Sequence, residues 1–108
     1  MKKILTLALT AVLAVLAALA APAIAAGDML VFSTDGSYPP FSETGSDGKM
    51  TGFDIDIGLA LCAQMKRECR YEQLDWEGLI PALKTHKIDA IVASMNDTAE
   101  RRESVAFT

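Results

Sequence analysis

The sequence predicts an α/β fold, a parallel β-sheet with helices on its faces. Beyond the first 25 residues, short apolar runs alternate with stretches of helical spacing in the order strand, helix, strand, helix, strand, helix. The runs at residues 29–34 and 89–93 are continuous and apolar, as strands buried on both faces are. A helical stretch joins each strand to the next, and a parallel neighbour requires a crossover of that kind.

The fold begins after a leader. Lys2 and Lys3 form a basic start, residues 4–21 are an unbroken run of Leu, Ala, Val, Ile and Thr, and Ala23-Ile24-Ala25 offers a small-x-small cleavage site. Residues 1–25 therefore read as a secretory signal peptide cleaved near Ala25. The run is close to the lower limit for spanning a bilayer, so an uncleaved anchor is the competing reading. Pro22 and the alanine-rich site favour cleavage, which makes the mature product exported and soluble. No cysteine lies near the site to carry a lipid.

Without Lys2 and Lys3 the balance is eight basic against 14 acidic residues, a net charge of −6. Such a domain is poorly suited to nucleic acid or an anionic membrane, and neither is expected as a partner. The 83 residues after Ala25 suffice for a small core, and exported domains of that size lean on disulfides. Cys62 and Cys69 are the only cysteines, and an oxidising compartment favours their pairing. Two thiols and the single His86 do not make a metal site, and no cofactor is expected.

Taken in order, residues 29–34 form the first strand. Residues 35–48 mix Gly, Ser, Pro, Asp and Thr and read as a loop with a turn at Pro39-Pro40. Residues 54–65 form the first helix, with Asp54 as cap and Asp56 in the favourable first turn. Its helical spacing runs through Phe53, Ile57, Ala60, Leu61, Gln64 and Met65. Residues 69–74 alternate as a second strand, with Trp76 at its end. Residues 77–84 form the second helix, regular from about Pro81, where a backbone donor is missing. Residues 89–93 are the third strand, 94–97 a loop, 98–103 a short helix, and 105–108 the start of a further strand.

Ligands of parallel sheets bind beyond the carboxyl ends of the strands. Three segments lie there, residues 35–40, 74–77 and 94–101; they carry Tyr38, Trp76 and Arg101, with Phe41 directly after the first. Asp97 or Thr98 suits the cap of the last helix, and Asp97 with Glu100 has capping-box spacing. Arg101 then stands in a first turn where a cation is disfavoured by about 0.3–1 kcal/mol. Either Glu100 and Glu103 screen it, or an external anion is expected there. His86 reads as a surface residue, and no Ser-His-Asp set points to an enzyme.

The segments "GFDIDIGLALCAQM", "TDGSYPPF", "DWEGLIPALKTHKIDAIVASM" and "TAERRESVAFT" together resemble the extracellular solute-binding proteins of the polar amino-acid type, family 3. Cys62 and Cys69 are placed as in the lysine/arginine/ornithine- and histidine-binding members, with opine-binding members similar here. The resemblance implies a two-lobed, type II periplasmic-binding-protein fold. Residues 26–108 correspond to the N-terminal part of its first lobe, so the chain reads as an N-terminal fragment without the second lobe.

It also implies a monomeric, periplasmic, non-enzymatic receptor of an ABC importer that hands a basic amino acid to an inner-membrane permease. Arg101 falls at the arginine that pairs with the ligand α-carboxylate, and Ser94 at a residue giving hydroxyl or backbone donors to the same group. Tyr38 and Trp76 fall at the aromatic positions that sandwich the ligand side chain, where a cation gains about 0.5–2 kcal/mol. Asp35 falls at the acid that meets the distal cation. Ala93 and Asn96 depart from the serines common in basic-amino-acid binders. The alternatives are an exported enzyme on this fold, similar to cyclohexadienyl dehydratases, an opine receptor, or a fragment inactive alone.

Overall fold

The computed structural model describes residues 28–108, and the signal peptide expected over residues 1–25 lies outside them. In chain order the elements are β1 (Leu30–Thr34), β2 (Ser37–Tyr38), β3 (Ser42–Thr44), β4 (Met50–Thr51), α1 (Phe53–Met65), β5 (Cys69–Gln73), α2 (Trp76–Lys84), β6 (Ala90–Ile91) and α3 (Ala99–Arg102). The main sheet has the order β5-β1-β6 and all its pairs are parallel. β1 runs in full register with β5, from Leu30 opposite Cys69 to Thr34 opposite Gln73. β6 is shorter than expected as a strand. Flanking bonds lengthen its attachment, with the Asp89 N–H donating to the Val31 carbonyl at 2.8 Å and the Val92 N–H to the Ser33 carbonyl at 3.0 Å.

The stretch read as one loop, residues 35–48, contains two strands. β2, β3 and β4 form a small antiparallel sheet, with Tyr38 opposite Ser42 and Glu43 opposite Thr51. Polar composition concealed it because these strands lie at the surface, where only Ser42 is fully buried. Thr34 ties this sheet to the main one, its hydroxyl donating to Ser42 Oγ at 3.0 Å.

α1 starts at Phe53, and Asp54 does not cap it. The N–H groups of Phe53 and Asp54 donate instead to the carbonyls of Pro40 and Phe41, at 3.1 and 2.8 Å. Backbone from the neighbouring turn thus satisfies donors that a capping side chain would otherwise take. Gly52 makes this approach possible. Its φ is +126°, and a Cβ there would lie 2.4 Å from the Phe41 carbonyl oxygen.

The face of α1 turned inward is also not the expected one. Asp54, Ile55, Gly58 and Cys62 are buried, whereas Phe53, Ile57, Leu61 and Met65 are exposed. The helix is apolar nearly all round, so its spacing alone does not pick a side. Gly58 does, because it makes room for Tyr71 of β5. Tyr71 meets Phe32 edge to face at 5.8 Å and donates its hydroxyl to the Asp54 carbonyl at 2.7 Å. Cys62 and Cys69 form a disulfide from the last turns of α1 to the start of β5.

α2 begins at Trp76, five residues before Pro81, so the proline lies inside the helix. It removes the single bond to the Glu77 carbonyl, on an exposed side of the helix where the carbonyl faces solvent. Leu79, Ala82 and Ile88 are buried against the sheet. Residues 105–108 form no strand. They line a groove of about 440 Å³ together with residues from 89–95.

Candidate functional site

The strand order puts β1 in the middle. The chain leaves it through α1 to β5 on one side and returns through α2 to β6 on the other. Because all three strands are parallel, the segments that follow β1, β5 and β6 emerge at the same edge of the sheet, where ligands of parallel sheets bind. A cleft of about 330 Å³ lies there. All five residues singled out from the sequence, Asp35, Tyr38, Trp76, Ser94 and Arg101, line it, together with Ser37, Ala93 and Asn96.

Asp35 directly follows β1. One of its carboxylate oxygens accepts from Ser37 Oγ, and its carbonyl accepts from Gln73 Nε2 at 2.9 Å. The other carboxylate oxygen, Oδ1, is buried and has no hydrogen-bond partner among the described residues. Gly36 makes the turn that presents it, with φ of +66° and no room for a Cβ, which would lie 2.3 Å from Thr44 Oγ1.

Tyr38 is more than half exposed and lies nearly parallel to Phe41, ring centres 5.1 Å apart, while Phe41 meets Phe53 edge to face at 6.4 Å. Packing on Phe41 and lining the cleft are thus compatible roles for Tyr38. Trp76, the first residue of α2, is 37% exposed and lines the cleft.

The guanidinium carbon of Arg101 sits 5.5 Å from the Trp76 ring centre. Its Nη1 donates to the Asn96 carbonyl at 2.9 Å. Glu103 does not neutralise it. Among the described residues the ion pairs are Arg70 with Glu72 and Arg102 with Asp97, so Asp97 serves the neighbouring arginine rather than the helix. Thr98 is the cap, accepting from the Arg101 N–H at 3.2 Å. α3 has only four residues, too few for a strong macrodipole, and the positive charge at this end of the cleft is the guanidinium itself.

Ser94 has φ of +48°, the left-handed region. Its hydroxyl donates to Asp54 Oδ1 at 2.8 Å. With its one proton committed there, Ser94 Oγ offers the cleft lone pairs only, and any donor from this residue is its backbone N–H. The sequence reading missed this role of Asp54 and the support given by Ser37 and Gln73 to Asp35. A carboxylate set between Phe53 and Ile55 was the one available signal for the first.

The model of the bacterial extracellular solute-binding proteins, family 3, matches residues 30–108. The chain belongs to that family.

Among curated members it is 49% identical over 87 residues to the L-arginine-binding protein of Pseudomonas aeruginosa, covering 81% of this chain and 34% of that protein. It is 41% identical over 108 residues to the histidine-binding periplasmic protein of Escherichia coli, covering all of this chain and 41% of that one. The chain thus spans about a third to two fifths of the length of these relatives. Among solved structures it matches the arginine-bound form of domain 1 of the arginine-binding protein TmArgBP. The TM-score is 0.71 at 34% identity, over 74% of this chain and 64% of that one. The parallel sheet with flanking helices is therefore that of domain 1 in this family.

In this family 3 chain the cleft has a fixed cation at one wall, a carboxylate at another and two open rings. No group of three or more His, Cys, Asp or Glu side chains is placed to hold a metal ion among the described residues. Among the described residues the one strongly perturbed titration lies behind the cleft, at Tyr71. Burial, with the charges of Asp54 and Asp56, pushes the Tyr71 phenol up to about 12. Tyr71 thus stays a neutral donor to the Asp54 carbonyl.

Proposed function

We propose that this chain forms the first-lobe side of a periplasmic receptor that captures a basic amino acid and delivers it to the inner-membrane permease of an ABC importer. The observation that carries this reading is the meeting of Arg101, Asp35, Tyr38 and Trp76 on one cleft of about 330 Å³. A free amino acid with a cationic side chain has an anion at one end and a cation at the other, and the cleft offers a counter-charge for each. Arg101 takes the α-carboxylate through paired donors, the geometry for which guanidinium is suited. Asp35, which lines the cleft, takes the distal cation, and the rings of Tyr38 and Trp76 flank the side chain between them. The Ser94 backbone supplements Arg101.

The relatives support the same class. Their names specify arginine and histidine, and domain 1 of TmArgBP is known in an arginine-bound form, so a single lobe of this family holds a ligand. Basic residues at the start, the apolar run and the small-x-small site support export to the periplasm, where the E. coli relative is placed by its name. The protein acts as a monomer and leaves its ligand chemically unchanged.

Isothermal titration calorimetry tests this. L-Arginine, L-lysine, L-ornithine and L-histidine are titrated into the chain, with L-glutamate and octopine as contrasts. Saturable 1:1 heat with a cationic amino acid, and none with glutamate, is expected. Equal or tighter binding of glutamate, or no heat with any cationic amino acid, overturns the assignment, and preference for octopine moves it to an opine receptor.

A further inference from the structure

We infer that Asp54, which is not itself among the cleft-lining residues, is a positioning residue for the cleft: through Ser94 it holds the 93–96 loop, and through that loop the Arg101 guanidinium, in place. The inference rests on the functional reading above only for its ligand-binding consequence.

Asp54 is 5% exposed, in the first turn of α1. A carboxylate at that position normally serves the helix end, but here the first N–H groups are taken by the Pro40 and Phe41 carbonyls and Asp54 makes no capping bond. Its Oδ2 is buried without a hydrogen-bond partner among the described residues. Burying a charge with half its acceptors unused works against stability, so helix formation and packing do not account for an aspartate at this position. What remains is its one side-chain bond, to Ser94 Oγ at 2.8 Å, across 40 residues of sequence.

The residue at the other end of that bond is itself unusual. Ser94 adopts φ of +48°, which L-residues avoid outside glycine and asparagine. A conformation of this kind persists where its surroundings over-determine it, and the Asp54 carboxylate is the group that does so. The consequence reaches the cleft two residues later. The Asn96 carbonyl accepts from Arg101 Nη1 at 2.9 Å, and the guanidinium lies 5.5 Å over Trp76. Ser94 and Asn96 belong to one short loop anchored at Ala93, which is buried, so the carboxylate behind the sheet edge sets where the arginine points.

Trp76 is the only tryptophan, and the guanidinium sits against its ring, so its emission reports the position of Arg101 without any ligand. The experiment compares Asp54→Ala, Asp54→Asn, Ser94→Gly and Arg101→Ala in the full chain, by intrinsic fluorescence and by L-arginine calorimetry. Asp54→Ala and Ser94→Gly are expected to move the emission toward that of Arg101→Ala and to weaken L-arginine about tenfold or more. Asp54→Asn keeps an acceptor for the Ser94 hydroxyl and is expected to restore both toward the parent.

Ser94→Gly is the decisive variant. Ser94 is exposed, and glycine accepts the left-handed conformation freely, so the variant folds and relieves strain while deleting the bond. Emission and affinity at parental values in Ser94→Gly overturn the inference, as does loss of thermal stability in Asp54→Ala with both readouts unchanged. A shifted emission in a chain whose parent binds no L-arginine upholds the positioning role and refutes the receptor assignment instead.

Discussion

Replacing Gly58 with alanine is expected to destabilise the chain by about 1–3 kcal/mol, although alanine is the better helix former. Gly58 lies on the buried face of α1, and a Cβ there would come 1.9 Å from Tyr71 Oη, 2.8 Å from Tyr71 Cζ and 3.2 Å from Phe32 Cδ2. The first two distances are impossible contacts, so the tyrosine must withdraw. It then gives up its 2.7 Å hydrogen bond to the Asp54 carbonyl and its edge-to-face contact with Phe32. Leaving a polar group unpaired costs about 1–3 kcal/mol, with the lower end apt for a half-buried hydroxyl that water can reach. Overpacking adds about 1–3 kcal/mol, and the helix propensity of alanine returns about 1.

A domain of this size shifts its midpoint by about 4–8 °C per kcal/mol. Circular dichroism on heating reads the effect, with Tyr71→Phe as the second background. Phenylalanine removes the oxygen responsible for the worst clash, so Gly58→Ala is expected to cost less there than in the parent. Equal cost in both backgrounds, or a Gly58→Ala chain as stable as the parent, refutes the argument that Tyr71 selects the buried face of α1.

Three further outcomes are expected. Arg101→Ala weakens L-arginine by about 100-fold or more in calorimetry, since charge-assisted paired donors are lost. It leaves the thermal midpoint within about 1–2 °C, because the bonds of this side chain are exposed; retained affinity refutes its role. Tyr71, observed alone in a Tyr38→Phe chain by tyrosinate absorbance, ionises near about 12, and Asp54→Asn lowers that value by removing a nearby negative charge. Because the folded value lies above the ordinary 10.0, its contribution to stability is complete below pH 10.0 and is lost as pH rises through about 12. Titration at the ordinary value refutes the environment described for it. Replacing Cys62 and Cys69 together by alanine lowers stability in urea by about 2–3 kcal/mol, from a closed loop of short span. Affinity is unchanged, since the bridge joins the start of β5, at the end of the sheet opposite the cleft, and altered affinity counts against that separation.

Tyr38, Trp76 and Arg101 were legible at one edge because they fall in loops whose position follows from topology, whereas Asp35 and Ser94 were singled out by the resemblance to the family. Once β1, β5 and β6 are parallel, the segments after them share one edge, and Asp35, Trp76 and Ser94 come together whatever the details of packing. Tyr38 and Arg101 follow because each lies within a few residues of a strand end. The small sheet of β2, β3 and β4 was not legible, since its strands are two or three residues long and too polar to show alternation. Residues 105–108 show the converse. An apolar pair, Val105 and Phe107, has strand character, but a strand exists only by pairing, and these residues pair with none.

What the sequence determined by itself was the order of the main-sheet strands and their crossover helices, their parallel arrangement, the edge where loops converge and the proximity of the two cysteines. Those features depend on apolar runs, crossover lengths and turn residues, which act over a few positions of the chain. Tertiary structure decided which side of an apolar helix faces inward, how the N-terminus of α1 is satisfied and what the buried Asp54 is for. Each of these turns on groups distant in sequence, the carbonyls of Pro40 and Phe41, the ring of Tyr71 and the hydroxyl of Ser94. A carboxylate reads alike in a string of letters whether it caps a helix or grips a loop 40 residues away, and only the partner that folding brings within 2.8 Å distinguishes the two.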